Sequence, residues 1–521
     1  MHIVFLHYHL MPGGVTRVIQ QQAAVCEQAG WKYCILAGDN PTKLPNVVTI
    51  PELHYDVHRS HVNGNDTAAT DSTATTPSPA LLLTEKILHS IETFFHTKSH
   101  EKTIIHTHNA TLAKNSDLLP ALNILRERRI PLFLQIHDFP EDWRPAMYPP
   151  ADYPADVHYG CINSRDQSAL SRAGIPDDRI HIIPNLVSPL PGATAPQGAV
   201  AQDGSGSGSG SKVSGKGSKR FALYPVRGIR RKNIGELILL SVLFNDITFG
   251  ITLEPKNPAD IPSYRFWENF AKETKAPVEF NIAEREGFAA ALERADFFIS
   301  TSVQEGFGFT FLEPWTLQKA VAGRTIPYVN TDFTASGIHM NYMYDEIPVP
   351  VEEVDMDLFQ ETWIVESQKR FTCFAIALRN QGLDRAAENI RRNFDNLAQQ
   401  FSMLYGSRPH IDFARLDKMN QAEIIRRLAS DTERAQTIKT SVPQLLSCPF
   451  HSCGSADRAV IEHNYQTVYE NYGESQYRRR LQAIYHSIIH KPFGTHSPPL
   501  NREVLLQSFL DPANIFLITS S

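Results

Sequence analysis

The sequence predicts an α/β protein with two doubly wound parallel sheets in separate domains and a helical C-terminal extension. Short apolar runs alternate with helical patterns over residues 1–187 and again over 220–330, as is typical of parallel sheets. A Gly/Ser-rich stretch, Gly204–Ser211, lies between these regions and predicts a flexible linker. From about Gln368 onward, apolar residues recur mainly at helical spacing.

The first region predicts seven strands and four helices. We expect strands near 2–8, 32–37, 47–50, 103–107, 131–136, 157–163 and 180–183, and helices near 15–29, 81–96, 117–128 and 165–173. Residues 56–80 are poor in apolar side chains, which predicts a mobile loop.

The second region predicts five strands, near 220–226, 247–252, 278–281, 295–300 and 326–329. The predicted domains are therefore 1–187, a linker at 188–219, a second sheet domain at 220–458, C-terminal helices at 459–490 and a tail at 491–521.

Two carboxylates, Glu305 and Glu313, bracket seven residues after the strand-like run Phe297–Ser300. The segment between them includes Gly306 and Gly308, so we expect a glycine-bearing turn that opens a helix, with Ser302 available as a cap. Backbone N–H groups at a helix start favour anions, and carboxylates accept from hydroxyls. The pattern indicates a ligand that is both anion and polyol, such as a nucleotide sugar. A solvated acid pair is the alternative.

Four cations follow another apolar strand, Phe221–Val226, in the stretch Arg227–Lys232. Arginine forks and lysine point charges together suit a diphosphate leaving group. A solvated basic turn is the alternative.

The N-terminal strand leads to Gly13 and Gly14 and then to a predicted helix. We expect a close-fitting turn there, but the full G-x-G-x-x-G fingerprint is not present. His137 follows the strand-like run Phe133–Ile136, where a structural role is the alternative to a functional one.

These motifs in this order resemble the retaining glycosyltransferases of family four, with their E-x7-E motif and two-domain GT-B fold. The resemblance covers roughly residues 1–187 and 220–330, with a weaker match near 460–490. After Glu313 the chain differs from the family, since Pro314-Trp315 and the later Gly323-Arg324-Thr325-Ile326-Pro327 replace small residues and a Gly-x-Pro-Val strand.

The resemblance implies two Rossmann-like domains facing a cleft and a hexosyl transfer with retention from an NDP-sugar. Arg227 and Lys232 would hold the diphosphate, Glu305 the sugar hydroxyls and Glu313 the ribose. His137 would contact the sugar, with Asp138 as a weaker member of the site. Donor-binding positions would include Gly13 and Gly14 and the segment Gly306, Phe307, Gly308 and Phe309.

The resemblance implies no securely identified protein nucleophile, so we assign none. A metal is not required, because the two cations and the helix dipoles can neutralise the leaving phosphate, and we expect no cofactor. The expected partners are a nucleotide-sugar donor and a glycan, lipid or small polyol acceptor. The alternatives are a glycoside phosphorylase or an NDP-sugar epimerase of the same fold, and a non-catalytic sugar-nucleotide-binding subunit.

The composition is that of a large globular protein of 521 residues, with a net charge of -6 and a pI of about 6.4. This mild acidity argues against a nucleic-acid partner. No apolar run predicts a transmembrane segment or signal peptide, so we expect a cytoplasmic location and leave peripheral membrane contact open. The six cysteines indicate reduced thiols more than a disulfide framework, and Cys448 and Cys453 are weak zinc candidates.

Overall fold

The computed structural model describes residues 1–56, 77–193, 219–494 and 500–519. Most of the loop predicted at 56–80 and of the linker predicted at 188–219 lies outside these residues, as does part of the tail at 491–521. The described chain forms two compact units. Unit 1 contains Met1–Leu186, Arg370–Asn393 and Ser475–Asp511, and unit 2 contains Val187–Lys369, Phe394–Glu474 and the residues from Pro512 onward. Unit 1 thus includes 370–393, which the sequence analysis assigned to the second sheet domain.

Unit 1 is built on a parallel seven-stranded sheet in the order β3-β2-β1-β4-β5-β6-β7. Its strands are β1 (His2–His7), β2 (Lys32–Ala37), β3 (Val47–Thr49), β4 (Thr103–His108), β5 (Leu132–Ile136), β6 (His158–Cys161) and β7 (Ile180–Ile182). The intervening helices are α1 (Gly14–Gln28), α2 (Pro79–Phe95), α3 (Leu118–Glu127) and α4 (Ser164–Arg172). Its central strands are buried almost throughout, because helices cover both faces of a parallel sheet.

Unit 2 contains a second parallel sheet in the order β10-β9-β8-β11-β12-β13. Its strands are β8 (Arg220–Arg227), β9 (Ile247–Leu253), β10 (Val278–Glu279), β11 (Phe297–Ser300), β12 (Val321–Arg324) and β13 (Met343–Tyr344). The helices between them are α5 (Ile234–Leu243), α6 (Ile261–Glu273), α7 (Ile282–Glu286), α8 (Phe288–Arg294) and α9 (Pro327–Ala335). The predicted fold class, two doubly wound parallel α/β sheets with a helical C-terminal region, is confirmed.

One predicted strand is wrong. The strand expected near 326–329 is the start of α9, and the strand of this region is β12, a few residues earlier. Pro327 explains the difference, because proline lacks the N–H that a central strand needs but fits the first turn of a helix. The Asn330 side chain supports this start by accepting from the Ile326 N–H at 2.7 Å.

Most of the remaining chain is helical. An antiparallel pair, β14 (Pro348–Pro350) and β15 (His410–Asp412), accompanies α10 (Met356–Arg379), α11 (Asp384–Arg392), α12 (Leu397–Tyr405), α13 (Lys418–Ser430), α14 (Thr432–Ser441), α15 (Ser455–Tyr472), α16 (Glu474–His490) and α17 (Arg502–Gln507). Helix α16 places Tyr477, Leu481 and Tyr485 in the same apolar cluster as Ile3 and Phe5 of β1. This part of the C-terminal region therefore packs on the first sheet.

The cysteines follow the sequence expectation only in part. Cys26, Cys34 and Cys161 are buried free thiols, but Cys448 and Cys453 form a disulfide, so the zinc alternative for this pair is wrong. The carbonyls of Pro449 and Phe450, inside the loop that this disulfide closes, accept from Arg220 at the start of β8. Among the helices within the described ranges, none has the length and apolar character needed to cross a bilayer.

Candidate functional site

The basic turn and the first glutamate come together at one edge of the unit 2 sheet. Arg227 ends β8, and Glu305 follows β11, which is the neighbour of β8. The strand order changes direction between these two strands. In doubly wound sheets, ligands bind at the carboxyl ends of the strands beside such a switch point. The geometry therefore places the candidate site in unit 2 at this edge.

Lys232 is held by the turn between β8 and α5. A 3-10 helix spans Arg230–Lys232, and Asn233 adopts a left-handed conformation with a φ of 49° before α5 begins. The Thr301 hydroxyl donates to the carbonyls of Lys232 at 2.9 Å and Asn233 at 3.1 Å. The end of β11 thus fastens the turn that carries the lysine.

The Lys232 ammonium forms a buried ion pair with the Glu305 carboxylate. Glu305 also accepts from the Ser302 hydroxyl at 2.6 Å. Ser302 donates its only hydroxyl proton to Glu305. The Tyr224 hydroxyl, 2.5 Å from Ser302 Oγ, must therefore donate to Ser302. The Lys232 ammonium and the chain of two hydroxyls from Tyr224 and Ser302 therefore fix the carboxylate.

The backbone of Glu305 is fixed as well. Its N–H donates to the Tyr328 hydroxyl at 3.2 Å, and that hydroxyl donates to the Glu305 carbonyl at 2.6 Å. Burial acts to raise the pKa of Glu305, but Lys232 and Arg231 outweigh it, so the pKa lies below its ordinary value. The site therefore carries a pre-positioned carboxylate beside a cation.

Arg227 lies near the same edge, partly exposed, and its guanidinium donates to the Glu254 carbonyl at 2.9 Å. Arg230, in the same turn, is instead paired with Asp260 at 3.0 Å. The predicted cations therefore differ in role, because Arg230 is engaged by a carboxylate and Arg227 by a backbone carbonyl.

The helix predicted to open between the two glutamates is not an α-helix. The segment forms two short 3-10 helices, Phe309–Phe311 and Glu313–Leu317. Pro314 accounts for the break after Phe311, because it has no N–H to continue an α-helix begun before it, whereas it fits the first turn of the second 3-10 helix. Ser302 accordingly does not cap a helix and donates to Glu305 instead.

Within this segment, Gly308 is required by the backbone. Its φ is +90°, and a Cβ atom would lie 2.8 Å from Val329 Cγ1. Phe307 is buried against Phe309 and Phe333, with ring centroids 5.0 and 5.6 Å apart. Phe307 therefore anchors the turn, while Phe309 and Glu313 are only partly buried.

A buried charge network that the sequence analysis missed supports the Lys232 turn. Arg324 at the end of β12 donates to Glu236 at 2.7 Å and to Asp412 at 2.8 Å. Glu236 lies in the first turn of α5 and accepts from the Asn233 amide at 2.8 Å. The departure from the family pattern at Gly323-Arg324 was the available signal, because a charge inside an apolar strand needs buried partners.

Unit 1 carries the other predicted site residues. His137 follows β5 and is buried, and burial lowers its pKa to about 4. Gly13 and Gly14 lie at the start of α1, but Gly13 is extended, and a Cβ at either position would meet nothing closer than 3.8 Å. The packing of the chain around the turn therefore does not demand these glycines, and the close approach of a ligand that the sequence predicts here stays a prediction. The structure joins Lys232 and Glu305 directly, whereas His137, Gly13 and Gly14 belong to the other unit.

The chain has a distant sequence relative. The mannosylglucosyl-3-phosphoglycerate synthase of Petrotoga mobilis is 26% identical over 437 residues, covering 77% of this chain and 79% of that protein. No family model matches the chain.

Three similar solved structures have identities of 13–14% and TM-scores below 0.5. A glycosyltransferase from Rickettsia africae has a TM-score of 0.47 at 13% identity, covering 94% of this chain and 98% of its own. A sucrose-phosphate synthase from Thermosynechococcus elongatus has a TM-score of 0.42 at 13% identity, covering 78% of this chain and 100% of its own. HepE from Anabaena, solved with UDP and glucose, has a TM-score of 0.41 at 14% identity, covering 77% of this chain and 99% of its own.

Proposed function

We propose that this protein is a retaining glycosyltransferase that moves a hexosyl group from an NDP-sugar to an acceptor hydroxyl. The observation that carries the proposal is the Lys232–Glu305 pair, with Arg227 nearby, at the switch point of the unit 2 sheet. The Petrotoga relative supports it, since the name of that protein describes the synthesis of a glycoside.

In the proposed reaction, Arg227 and Lys232 bind the diphosphate and neutralise the charge that grows as the glycosidic bond breaks. Glu305 accepts from hydroxyls of the donor sugar, and its fixed position lowers the cost of ordering that contact. Glu313 accepts from the ribose, as the resemblance to family four implies. His137 contacts the sugar, as the same resemblance implies.

Retention of the anomeric configuration and independence of metal are also proposed on that resemblance. We assign no protein nucleophile, and the leaving phosphate takes the acceptor proton on the same face of the sugar. The two cations supply the charge neutralisation that a divalent ion provides in other transferases.

The acceptor is a glycan, a lipid or a small polyol. The name of the Petrotoga relative adds one specific candidate to this set, a glycoside of 3-phosphoglycerate. Such an acceptor offers sugar hydroxyls for transfer and carries anionic groups.

A coupled assay tests the proposal. The protein is incubated with hexoses activated by UDP, GDP or ADP, with and without each acceptor class, and release of the nucleoside diphosphate is measured. We expect release of the nucleoside diphosphate with one donor, and only when the acceptor is present. The rate of release should fall by at least two orders of magnitude in Arg227→Ala. The NMR spectrum of the product should show the same anomeric configuration as the donor.

Other outcomes would contradict this function in distinguishable ways. Turnover that requires free phosphate would identify a glycoside phosphorylase, and conversion of the donor without an acceptor would identify an epimerase. Tight donor binding with no turnover for any acceptor would identify a binding subunit.

A further inference from the structure

Three histidines lie together at the carboxyl edge of the unit 1 sheet. His7 ends β1, His108 ends β4, and His137 follows β5, and these three strands are adjacent. All three side chains are buried. The strand order changes direction between β1 and β4, so this cluster lies at the switch point of its own sheet.

The His137 ring is held by His108. His108 Nδ1 and His137 Nε2 are 3.0 Å apart, and the two ring planes are inclined by only 14° with centroids 5.3 Å apart. Because the two rings are nearly coplanar at this separation, the hydrogen bond between them lies close to the plane of both rings. The contact therefore restricts rotation of the His137 side chain.

The His137 backbone is held by Asn109, the residue that follows His108 in the chain. The side-chain oxygen of Asn109 accepts from the N–H of His137 at 2.7 Å and from the N–H of Asp138 at 3.2 Å. Asn109 can do this because it adopts a left-handed conformation, with a φ of 55°, directly after β4. Two consecutive residues thus fix both the ring and the main chain of His137.

The arrangement also bears on the position of the protons. Burial lowers the pKa of His137 to about 4 and the pKa of His108 well below its ordinary value, so both rings are neutral near pH 7. One proton then lies in the hydrogen bond between them. It belongs either to His108 Nδ1 or to His137 Nε2.

The remaining nitrogen of His108 favours the first arrangement. His108 Nε2 is buried and has no hydrogen-bond partner within the described parts of the chain. If His137 donated, His108 would carry its proton on Nε2 as a buried N–H without an acceptor, and orphaned buried N–H groups are rare. If His108 donates from Nδ1, its Nε2 is a bare lone pair instead.

We propose that His108 and Asn109 are positioning residues for His137, and that His108 donates to His137 so that neutral His137 carries its proton on Nδ1. His137 is then a hydrogen-bond donor of fixed tautomer, set by the bond that its other nitrogen makes. The contribution of this donor to catalysis rests on the proposed transferase function, but the tautomer itself does not.

NMR of the full-length protein labelled with ¹⁵N-histidine tests the tautomer, with His137→Asn to assign the His137 signals. We expect a protonated Nδ1 and an unprotonated Nε2 on His137 in the wild type. His108→Asn offers an amide donor at the position of Nδ1 and should keep this pattern, whereas His108→Leu offers none and should give a mixture of tautomers. A protonated Nε2 on wild-type His137 would overturn the proposal, as would an unchanged spectrum in His108→Leu.

Kinetics of the same variants test the positioning role separately. We expect kcat to fall about tenfold or more in His108→Leu with little change in the donor KM, and to recover in part in His108→Asn. Equal kcat values in the two variants would contradict a positioning role. Absence of transferase activity in the wild type would refute the proposed function alone, because the NMR result does not depend on turnover.

Discussion

Replacing Arg324 by methionine should be strongly destabilising. The Arg324 and Glu236 side chains are 3% and 0% exposed, and Asp412 is 11% exposed, so the change leaves two buried carboxylates without their cation. Breaking a buried ion pair by removing one partner costs about 3–5 kcal/mol. At roughly 2 °C per kcal/mol for a unit of this size, the melting temperature of unit 2 should fall by about 6–10 °C.

The loss should depend on pH with a predictable sign. Burial raises the pKa of Glu236 even beside Arg324, whose charge opposes that rise, so removing the arginine raises this pKa further and the folded state binds more protons than the unfolded one. Stability of the variant should therefore recover as the pH falls from 7 to 5. Thermal unfolding followed by circular dichroism at both values measures this.

Arg265→Met is the matched control, because Arg265 is 52% exposed and pairs with Glu254 and Glu268 at the surface. It should cost less than about 1 kcal/mol. The reasoning is refuted if Arg324→Met costs no more than this control at pH 7, or if its loss is the same at pH 5.

Two further predictions concern Gly308 and Glu141. Gly308→Ala should lower the free energy of unfolding by roughly 1–3 kcal/mol, because φ is +90° and the new Cβ meets Val329. Gly14→Ala is the control and should change it by no more than about 0.5 kcal/mol in the same thermal unfolding experiment. Equal effects of the two substitutions would contradict the geometry. Burial raises the pKa of Glu141 from 4.5 to about 7, so the folded state holds a proton that the unfolded state releases, and stability should fall by roughly 3 kcal/mol as the pH rises between these values. Glu141→Gln should remove that decline in denaturant titrations, and an unchanged decline would exclude Glu141 as its source.

The sequence predicted the two sheets well because their strands are continuous apolar runs between helical patterns. Strand β1 at His2–His7 and helix α1 at Gly14–Gln28 are examples in which local pattern and tertiary structure agree. The differences lie where proline decides the backbone. Pro327 begins a helix where a strand was expected, and Pro314 breaks the helix expected to open between the glutamates.

The candidate site was predictable by residue type but not by contact. Arg227, Lys232 and Glu305 were identified from their places after strands, yet nothing local indicates that Lys232 pairs with Glu305 across 73 positions. The same holds for Tyr224, which reaches Glu305 through Ser302, and for Arg324, whose partners are 88 residues away on either side. Sequence separation hides such contacts, because only the sheet topology brings the strand ends together.

The central claim is that the edge of the unit 2 sheet beside Lys232 and Glu305 binds a nucleoside diphosphate. Isothermal titration of the wild type, Arg227→Ala and Arg230→Ala with UDP, GDP and ADP tests it most directly. We predict binding of one nucleotide by the wild type, a loss of about 2 kcal/mol or more in Arg227→Ala, and little change in Arg230→Ala, since Asp260 already engages that arginine. Absence of binding for all three nucleotides, or equal losses in both variants, would contradict the account.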